Sequence, residues 1–252
     1  MQPQSVYKKA YHIEISDVDF TKKLRLSTLF GYFQEIASEH AENLGLGFDT
    51  LIQKYGVTWV LMRMRVDIIR NPLWNEEITI ETWPQEPKKL EFLRDFFVRD
   101  IDGNIIIRAV STWLMVNIKD RQIKKSDLIP VEYPPIRNER AIECKLGKIK
   151  ASGALQTAYT KVVGYSDIDL NLHLNNTKYI DYIMDCFSIE SHQKYSVKSI
   201  EVSYLNEALP GDTLTLYKDI SSLDSNLVYI EGVNEQENKT IFKSQLEVNM
   251  IE

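Results

Sequence analysis

The chain contains an internal repeat. Its segment Ser16–Phe20 (SDVDF) returns 150 positions later as Ser166–Leu170 (SDIDL), and the apolar residues that follow the two segments correspond without a gap. A chain of 252 residues is long enough for two domains of ordinary size, each with a hydrophobic core of its own. We therefore predict two tandem copies of one fold.

The two copies differ at polar positions. The second copy has Asn171 and His173 where the first has Thr21 and Lys23. A duplication that keeps the apolar frame but places an amide and an imidazole in only one copy indicates two scaffolds that share one site. We expect that site to lie in the second copy.

Each copy has the pattern of one helix followed by several strands. Apolar residues at three- and four-residue steps predict a helix over 27–43 and another that begins near Asn175. Alternating, aromatic and β-branched runs predict strands at 57–69, 77–83, 90–101 and 105–118, and at 155–164, 197–206, 213–220, 226–234 and 240–248. The predicted fold class is α+β, a tandem (double) hotdog in which an antiparallel sheet wraps each helix.

Prolines and charges separate the two copies. Pro130, Pro134 and Pro135 precede a charged run, so we predict an N-terminal hotdog over 1–128, a linker over 129–150 and a C-terminal hotdog over 151–252. Between Lys119 and Lys150 there are nine Lys or Arg residues against five acidic ones. This strip is either a solvated connector or a surface for an acidic partner.

Composition excludes several classes of protein. A net charge of −6 argues against general binding to nucleic acid. No apolar run is long enough to span a bilayer, and residues 1–9 lack the apolar stretch of a secretory signal, so we expect a cytoplasmic protein without a membrane span. Two cysteines, Cys144 and Cys186, form no disulfide framework.

The candidate site lies where the copies differ. Asp169, Asn171 and His173 alternate with Leu170 and Leu172. In an extended segment the three polar side chains would point the same way, with both leucines packed inward. They would converge just before a helix N-terminus, whose unpaired amides stabilise negative charge.

Three stretches resemble one known family. Residues 169–180 (DLNLHLNNTKYI) are similar to the signature of the acyl-acyl-carrier-protein thioesterases, the plant chain-terminating enzymes and their bacterial relatives. Residues 74–83 (WNEEITIETW) and 109–117 (AVSTWLMVN) agree with it. The resemblance covers nearly the whole chain and implies a double hotdog.

The resemblance also implies a catalytic set. The family's aspartate, asparagine and histidine fall on Asp169, Asn171 and His173, and its glutamate, three positions after a tyrosine, falls on Glu207. The cysteine that plant members carry after this glutamate is Ala208 here. Without a thiol at that place, hydrolysis by an activated water is the expected route, with His173 or Glu207, or both, as the general base. No metal or redox cofactor is implied.

The implied substrate is a fatty acyl chain on the phosphopantetheine of acyl carrier protein (ACP). We expect the N-terminal half to bind the acyl chain, and we expect a cluster of cations to receive the acidic carrier. The acyl contacts would be Leu29, Phe33, Trp59 and Met62, and the docking residues Lys22, Lys23 and Arg25. An acyl-CoA thioesterase and a non-enzymatic acyl-binding or lipid-sensing hotdog protein are the alternatives. A monomer and a homodimer both remain open.

Overall fold

The computed structural model describes residues 2–129 and 134–251, and they form two compact units. The first unit comprises the residues up to Arg25, together with Gly31–Met64 and Ile69–Cys144. The second comprises Leu26–Phe30, Arg65–Ile68 and the residues from Lys145 onward. Pro130 and Glu132, which belong to the predicted linker, lie outside the described residues.

In the described part of the N-terminal half there are two α-helices and six strands. The helices are α1 (Leu26–Asn43) and α2 (Phe48–Tyr55). The strands are β1 (Tyr7–His12), β2 (Val57–Ile68), β3 (Glu77–Pro84), β4 (Glu91–Arg99), β5 (Ile105–Asn117) and the short β6 (Ile123–Lys124).

The C-terminal half contains two short helices and five strands. The helices are α3 (Asn176–Met184) and α4 (Ile189–Lys194). The strands are β7 (Gln156–Val162), β8 (Tyr195–Tyr204), β9 (Thr213–Asp219), β10 (Leu227–Asn234) and β11 (Lys239–Met250).

Both halves arrange their strands in the same order. The first runs β1-β3-β4-β5-β2, with β6 on β5, and the second runs β7-β9-β10-β11-β8. If the strands are numbered from the start of each half and β6 is left out, the order across the sheet is first, third, fourth, fifth, second in both halves. In the first half the pairings β1–β3, β3–β4 and β4–β5 are antiparallel. In the second half the pairings β7–β9, β9–β10 and β10–β11 are antiparallel too. The repeat in the sequence is therefore a repeat in topology.

In each half of the chain a helix packs against the sheet. The predicted apolar face of α1 is confirmed, since Leu29, Phe33, Ile36 and His40 are all buried. The Phe33 ring lies 4.8 Å from that of Phe96 on β4. In the second unit Tyr179 of α3 meets Phe242 of β11 edge to face at 5.4 Å.

The second helix is shorter than its counterpart. The apolar spacing after Asn175 places Met184 and Phe187 on the inner face of this helix, but α3 ends at Met184 and both residues are only half buried. Tyr182, which the pattern missed, is buried. Among the described residues no helix is long and apolar enough to cross a membrane.

The connecting segment packs closely on the first unit around Arg140. The carboxylate of Asp95, which is fully buried on β4, accepts hydrogen bonds from Arg140 Nε at 3.1 Å and from the Ala141 amide at 2.7 Å. The Trp83 indole donates to the Glu139 carbonyl at 2.9 Å, and the Arg137 guanidinium lies 4.3 Å over the same ring. A solvated connector is therefore the wrong description of this part of the segment.

Candidate active site

The loop that carries Asn171 and His173 closes on itself around Asp169. The Asp169 Oδ1 atom accepts from the backbone amides of Asn171 at 2.8 Å and His173 at 3.2 Å. The Asp169 amide donates to the His173 carbonyl at 2.9 Å. Leu172 takes a left-handed conformation with φ of 62° to complete the turn. Asp169 therefore holds the backbone on which the amide and the imidazole are mounted.

This geometry overturns the expected extended segment. Leu170 and Leu172 do not pack inward, because 79% and 69% of their respective surfaces are exposed. The carboxylate of Asp169 competes for the backbone amides two and four residues ahead and bends the chain into a turn. Alternation in the sequence does not produce a strand here.

One backbone hydrogen bond brings the two halves of the site together. The Leu174 amide donates to the Ala208 carbonyl at 2.9 Å. His173 and Glu207 each precede one of these bonded residues. Their side chains meet, with His173 Nε2 3.4 Å from Glu207 Oε2. The site thus joins a loop before α3 to a loop after β8.

Glu207 lies in the loop after β8, which ends two residues before the predicted strand end at residue 206. Strand β8 ends at Tyr204, and the amides of Leu205 and Asn206 both donate to the Ile241 carbonyl. Two donors on one acceptor break the regular ladder, so the chain leaves the sheet. The Glu207 carboxylate is consequently about two-fifths exposed and faces the His173 imidazole.

The start of α3 follows the loop directly. Asn175 is the N-cap, and its side-chain oxygen accepts from the Thr177 amide at 3.0 Å. The amide of Asn175 donates to the Asp167 carbonyl at 2.9 Å. Asparagine is a common N-cap residue, but Asn176 is the first residue of the helix and not a second cap. The cap and the neighbouring carbonyls therefore occupy several of the amides at this helix start.

The first copy builds the same loop without the same side chains. Asp19 Oδ1 accepts from the amides of Thr21 at 2.7 Å and Lys23 at 3.3 Å, and Lys22 has φ of 62°. The Leu24 amide donates to the Pro72 carbonyl, as Leu174 does to Ala208. Asn71 precedes Pro72 where Glu207 precedes Ala208. Identical backbones therefore carry different side chains, and only the second copy has the imidazole and the carboxylate.

Neither cysteine has the character of a nucleophile in this loop. Cys186 is buried at the end of α3, and its thiol contacts the Tyr182 carbonyl at 3.4 Å. Burial raises the pKa of the Cys186 thiol to about 12, so the thiolate is scarce at neutral pH. Cys144 is half buried in the connecting segment.

The expected acyl-chain contacts lie in different surroundings and differ in burial. Phe33 packs on Phe96, and Leu29 is buried on the same helix. The Trp59 indole donates to the Leu46 carbonyl at 3.0 Å and joins a cluster beneath α2, whereas Met62 is half buried on β2. Their role in binding an acyl chain stays a prediction.

The expected docking cations surround the first copy of the loop. Lys22 and Arg25 are exposed, and Lys23 is half buried. Lys22 Nζ lies 5.9 Å over the Trp74 ring, and Arg25 is 3.5 Å from the Ser16 carbonyl. The carrier-docking role of these three residues stays a prediction.

Comparison with known proteins covers both halves of the chain. The family model for the acyl-ACP thioesterase N-terminal domain matches residues 4–129, and that for the acyl-ACP thioesterase C-terminal domain matches residues 152–250. The chain belongs to the acyl-ACP thioesterase family.

Relatives of this acyl-ACP thioesterase family member include plant and bacterial proteins. It is 26% identical to oleoyl-acyl carrier protein thioesterase 1, chloroplastic, of Arabidopsis thaliana over 90% of the chain, but spans 66%, just under two thirds, of that protein. A solved acyl-ACP thioesterase from Bacteroides thetaiotaomicron is 29% identical with a TM-score of 0.88, over 97% of this chain and 98% of the other.

A third structure bears on the fold of this family member. The 12:0-ACP thioesterase from Umbellularia californica superimposes with a TM-score of 0.81 at 20% identity, over 98% of each chain. The prediction of an α+β tandem hotdog is confirmed by these neighbours and by the repeated sheet order.

Proposed function

We propose that this protein hydrolyses the thioester between a fatty acyl chain and the phosphopantetheine of ACP, and so releases free fatty acid in fatty acid biosynthesis. The observation that carries the proposal is the His173–Glu207 pair, held at 3.4 Å beside the start of α3 in a chain of the acyl-ACP thioesterase family. An imidazole beside a carboxylate is a suitable general base for a water nucleophile.

In the proposed reaction a water attacks the thioester carbonyl carbon. Its oxygen forms the new bond to carbon while His173, Glu207 or both accept its proton. The carbon–sulfur bond then breaks, and the pantetheine thiolate takes up a proton as it leaves. The carbonyl oxygen becomes negative in the intermediate, so it requires hydrogen-bond donors aimed at it.

We assign the oxyanion to Asn171 and the start of α3. The Asn171 side chain is exposed in the loop and carries an amide donor. At the start of α3 the amides of Leu174, Asn175 and Thr177 already donate to protein oxygens. The amide of Asn176, the first helical residue, is therefore our candidate for the second donor.

Single substitutions test the assignment. His173→Ala and Glu207→Ala should each lower kcat on acyl-ACP by about 100- to 10,000-fold, because each removes a candidate general base. Asn171→Ala should lower it by about 100- to 1,000-fold. Asn71→Ala, at the position of the first copy that matches Glu207, is the control and should retain full activity. Near-normal turnover by all three site variants would refute the site.

A pH profile separates the roles of the imidazole and the carboxylate. If His173 is the base, the acidic limb of the kcat/KM profile persists in Glu207→Gln and disappears in His173→Gln. If Glu207 is the base, the reverse holds. Circular dichroism of both variants should match the wild type, because both side chains are partly exposed.

Paired kinetics with one acyl chain on two carriers tests the substrate. We expect kcat/KM to be higher for acyl-ACP than for acyl-CoA, because a protein carrier adds contacts outside the site. Equal or higher values for acyl-CoA would assign the protein to CoA thioesters. Acyl binding without turnover on either carrier would make it a binding protein.

The cellular setting follows from the substrate. We propose that the protein works in the cytoplasm of its cell, where soluble ACP would meet it. A homodimer stays a prediction that sedimentation velocity tests.

A further inference from the structure

The two most exposed leucines in the described part of the chain lie in the site loop. They are Leu170 at 79% and Leu172 at 69% exposure, and they flank Asn171. Leu172 also directly precedes His173. Large apolar side chains that project into water at a reactive site need a reason, because nothing in their own unit covers most of their surface.

Leu172 also occupies a backbone conformation that disfavours leucine. Among the described residues, six that are not glycine have positive φ. Three are asparagines, which tolerate the left-handed region, and two are basic, at positions 22 and 121. Leu172 is the one apolar member. The first copy makes the same turn with Lys22 at the same φ of 62°, so the turn itself does not require a leucine.

Exposed apolar residues continue on both sides of the loop. Tyr165, whose carbonyl accepts from the Ile168 amide where the loop begins, is almost fully exposed. Leu209, which follows the Ala208 that bonds to Leu174, is about half exposed. We call Tyr165, Leu170, Leu172 and Leu209 the apolar rim. It lies on the two chain segments that meet at His173 and Glu207.

We propose that Leu170 and Leu172 are the contact on which an apolar surface of the carrier protein docks while its acyl thioester occupies the site. This inference rests on the proposed function. When a folded carrier protein delivers the thioester to the site, the body of the carrier stays on the solvent side of the loop. Leu170 and Leu172 project into the solvent on that side. The Asp169 carboxylate is engaged by the loop amides, and the loop between Asp169 and His173 carries no cation. The share of carrier binding that these two leucines contribute is therefore apolar, and that share should not depend on salt.

Leu172→Asn tests the proposal. Asparagine suits the left-handed turn, so we expect the melting temperature to rise by about 2–4 °C. Loss of the apolar contact should lower kcat/KM on acyl-ACP by roughly tenfold, through KM and equally at low and high salt. The same acyl chain on N-acetylcysteamine, which has no carrier protein, should be hydrolysed at the wild-type rate. Leu172→Met keeps the apolar contact and should behave as the wild type on both substrates.

Two control variants calibrate these readouts. Lys22→Asn places asparagine at the matching left-handed position of the first copy and should give the same rise in melting temperature. Ile101→Asn removes a side chain that is 77% exposed on the β4–β5 turn and should leave both activities unchanged.

Two results would overturn the proposal. One is unchanged kcat/KM of Leu172→Asn on acyl-ACP, and the other is an equal loss on both substrates, which would place the leucine at the thioester arm or at His173. Failure of the wild type to hydrolyse acyl-ACP would instead refute the proposed function.

Discussion

His40 is a buried imidazole whose tautomer is set by its neighbours. It lies on the inner face of α1 and is fully buried. Arg94 Nη1 is 2.9 Å from His40 Nδ1, which must therefore accept, and His40 Nε2 donates to the Gln4 carbonyl at 2.8 Å. The Tyr7 ring stacks on it at 5.6 Å. Burial and the adjacent Arg94 lower the pKa of His40 to about 4.

Acid should therefore destabilise the first unit through His40. A pKa of about 4 in the folded chain, against an ordinary 6.5, means that the unfolded chain binds more protons between these values. The stability is present above pH 6.5 and is lost as the pH falls to about 4, by about 3 kcal/mol in total. Urea unfolding of the wild type and of His40→Gln across this range measures the difference. Parallel pH curves for the two proteins would contradict the assignment.

At the same scale, the sequence identified residues better than it identified conformations. The repeat and the family resemblance singled out Asp169, Asn171, His173 and Glu207, and the structure brings His173 against Glu207. The turn was missed, because periodicity considers only whether residues are polar or apolar. Asp169 bends the chain by accepting from backbone amides, and Leu172 gives no sign of a left-handed residue.

Each end of the connecting segment is held by hydrogen bonds to a buried carboxylate on a strand, a different one at each end. Asp95 accepts from the Ala141 amide in the first unit. In the second unit Asp219 accepts from the amides of Ser152 at 2.8 Å and Gly153 at 2.6 Å. Each tie fixes the backbone where the segment meets a sheet.

Asp95→Ala should release the first of these ties. It would leave the partly buried Arg140 without its fully buried carboxylate partner, and removing one partner of a buried pair costs about 3–5 kcal/mol. We expect trypsin to cleave after Arg140 faster than in the wild type, with the fragments resolved by mass spectrometry. Asp219→Ala is the matched variant, for which faster cleavage should occur near Lys150. Wild-type cleavage rates in both would show that the ties do not restrain the segment.

Long elements were predictable and short ones were not. The predicted ranges of α1, β3 and β5 agree with the structure to within a residue at each end. Helices α2 and α4 and strand β6 were missed, because eight, six and two residues hold too few repeats of any period. The end of β8 depends on two amides that share the Ile241 carbonyl, a contact between distant residues that local pattern does not contain.

The proposed substrate would bring an acidic carrier to a protein that is itself acidic. The net charge of −6 would repel such a partner at long range, so any electrostatic attraction has to come from local cations. The exposed candidates are Lys22 and Arg25, with Lys23 half buried between them.

Reversing Lys22, Lys23 and Arg25 to glutamate should raise KM on acyl-ACP and leave short synthetic thioesters unaffected. The defect should shrink as salt is added, because screening weakens charge interactions. A second variant that reverses Lys145, Lys148 and Lys150 has the same net charge. An equal rise in KM for both variants would contradict a specific docking role for Lys22, Lys23 and Arg25.

The bond between Leu174 and Ala208, and its counterpart between Leu24 and Pro72, uses only main-chain atoms. The distance between positions 173 and 207 is therefore set without any contribution from the side chains that stand there. Substitutions at positions 173 and 207 can remove or introduce catalytic side chains while the backbone keeps its arrangement. The chemistry at these positions is thus independent of the backbone shape in either copy.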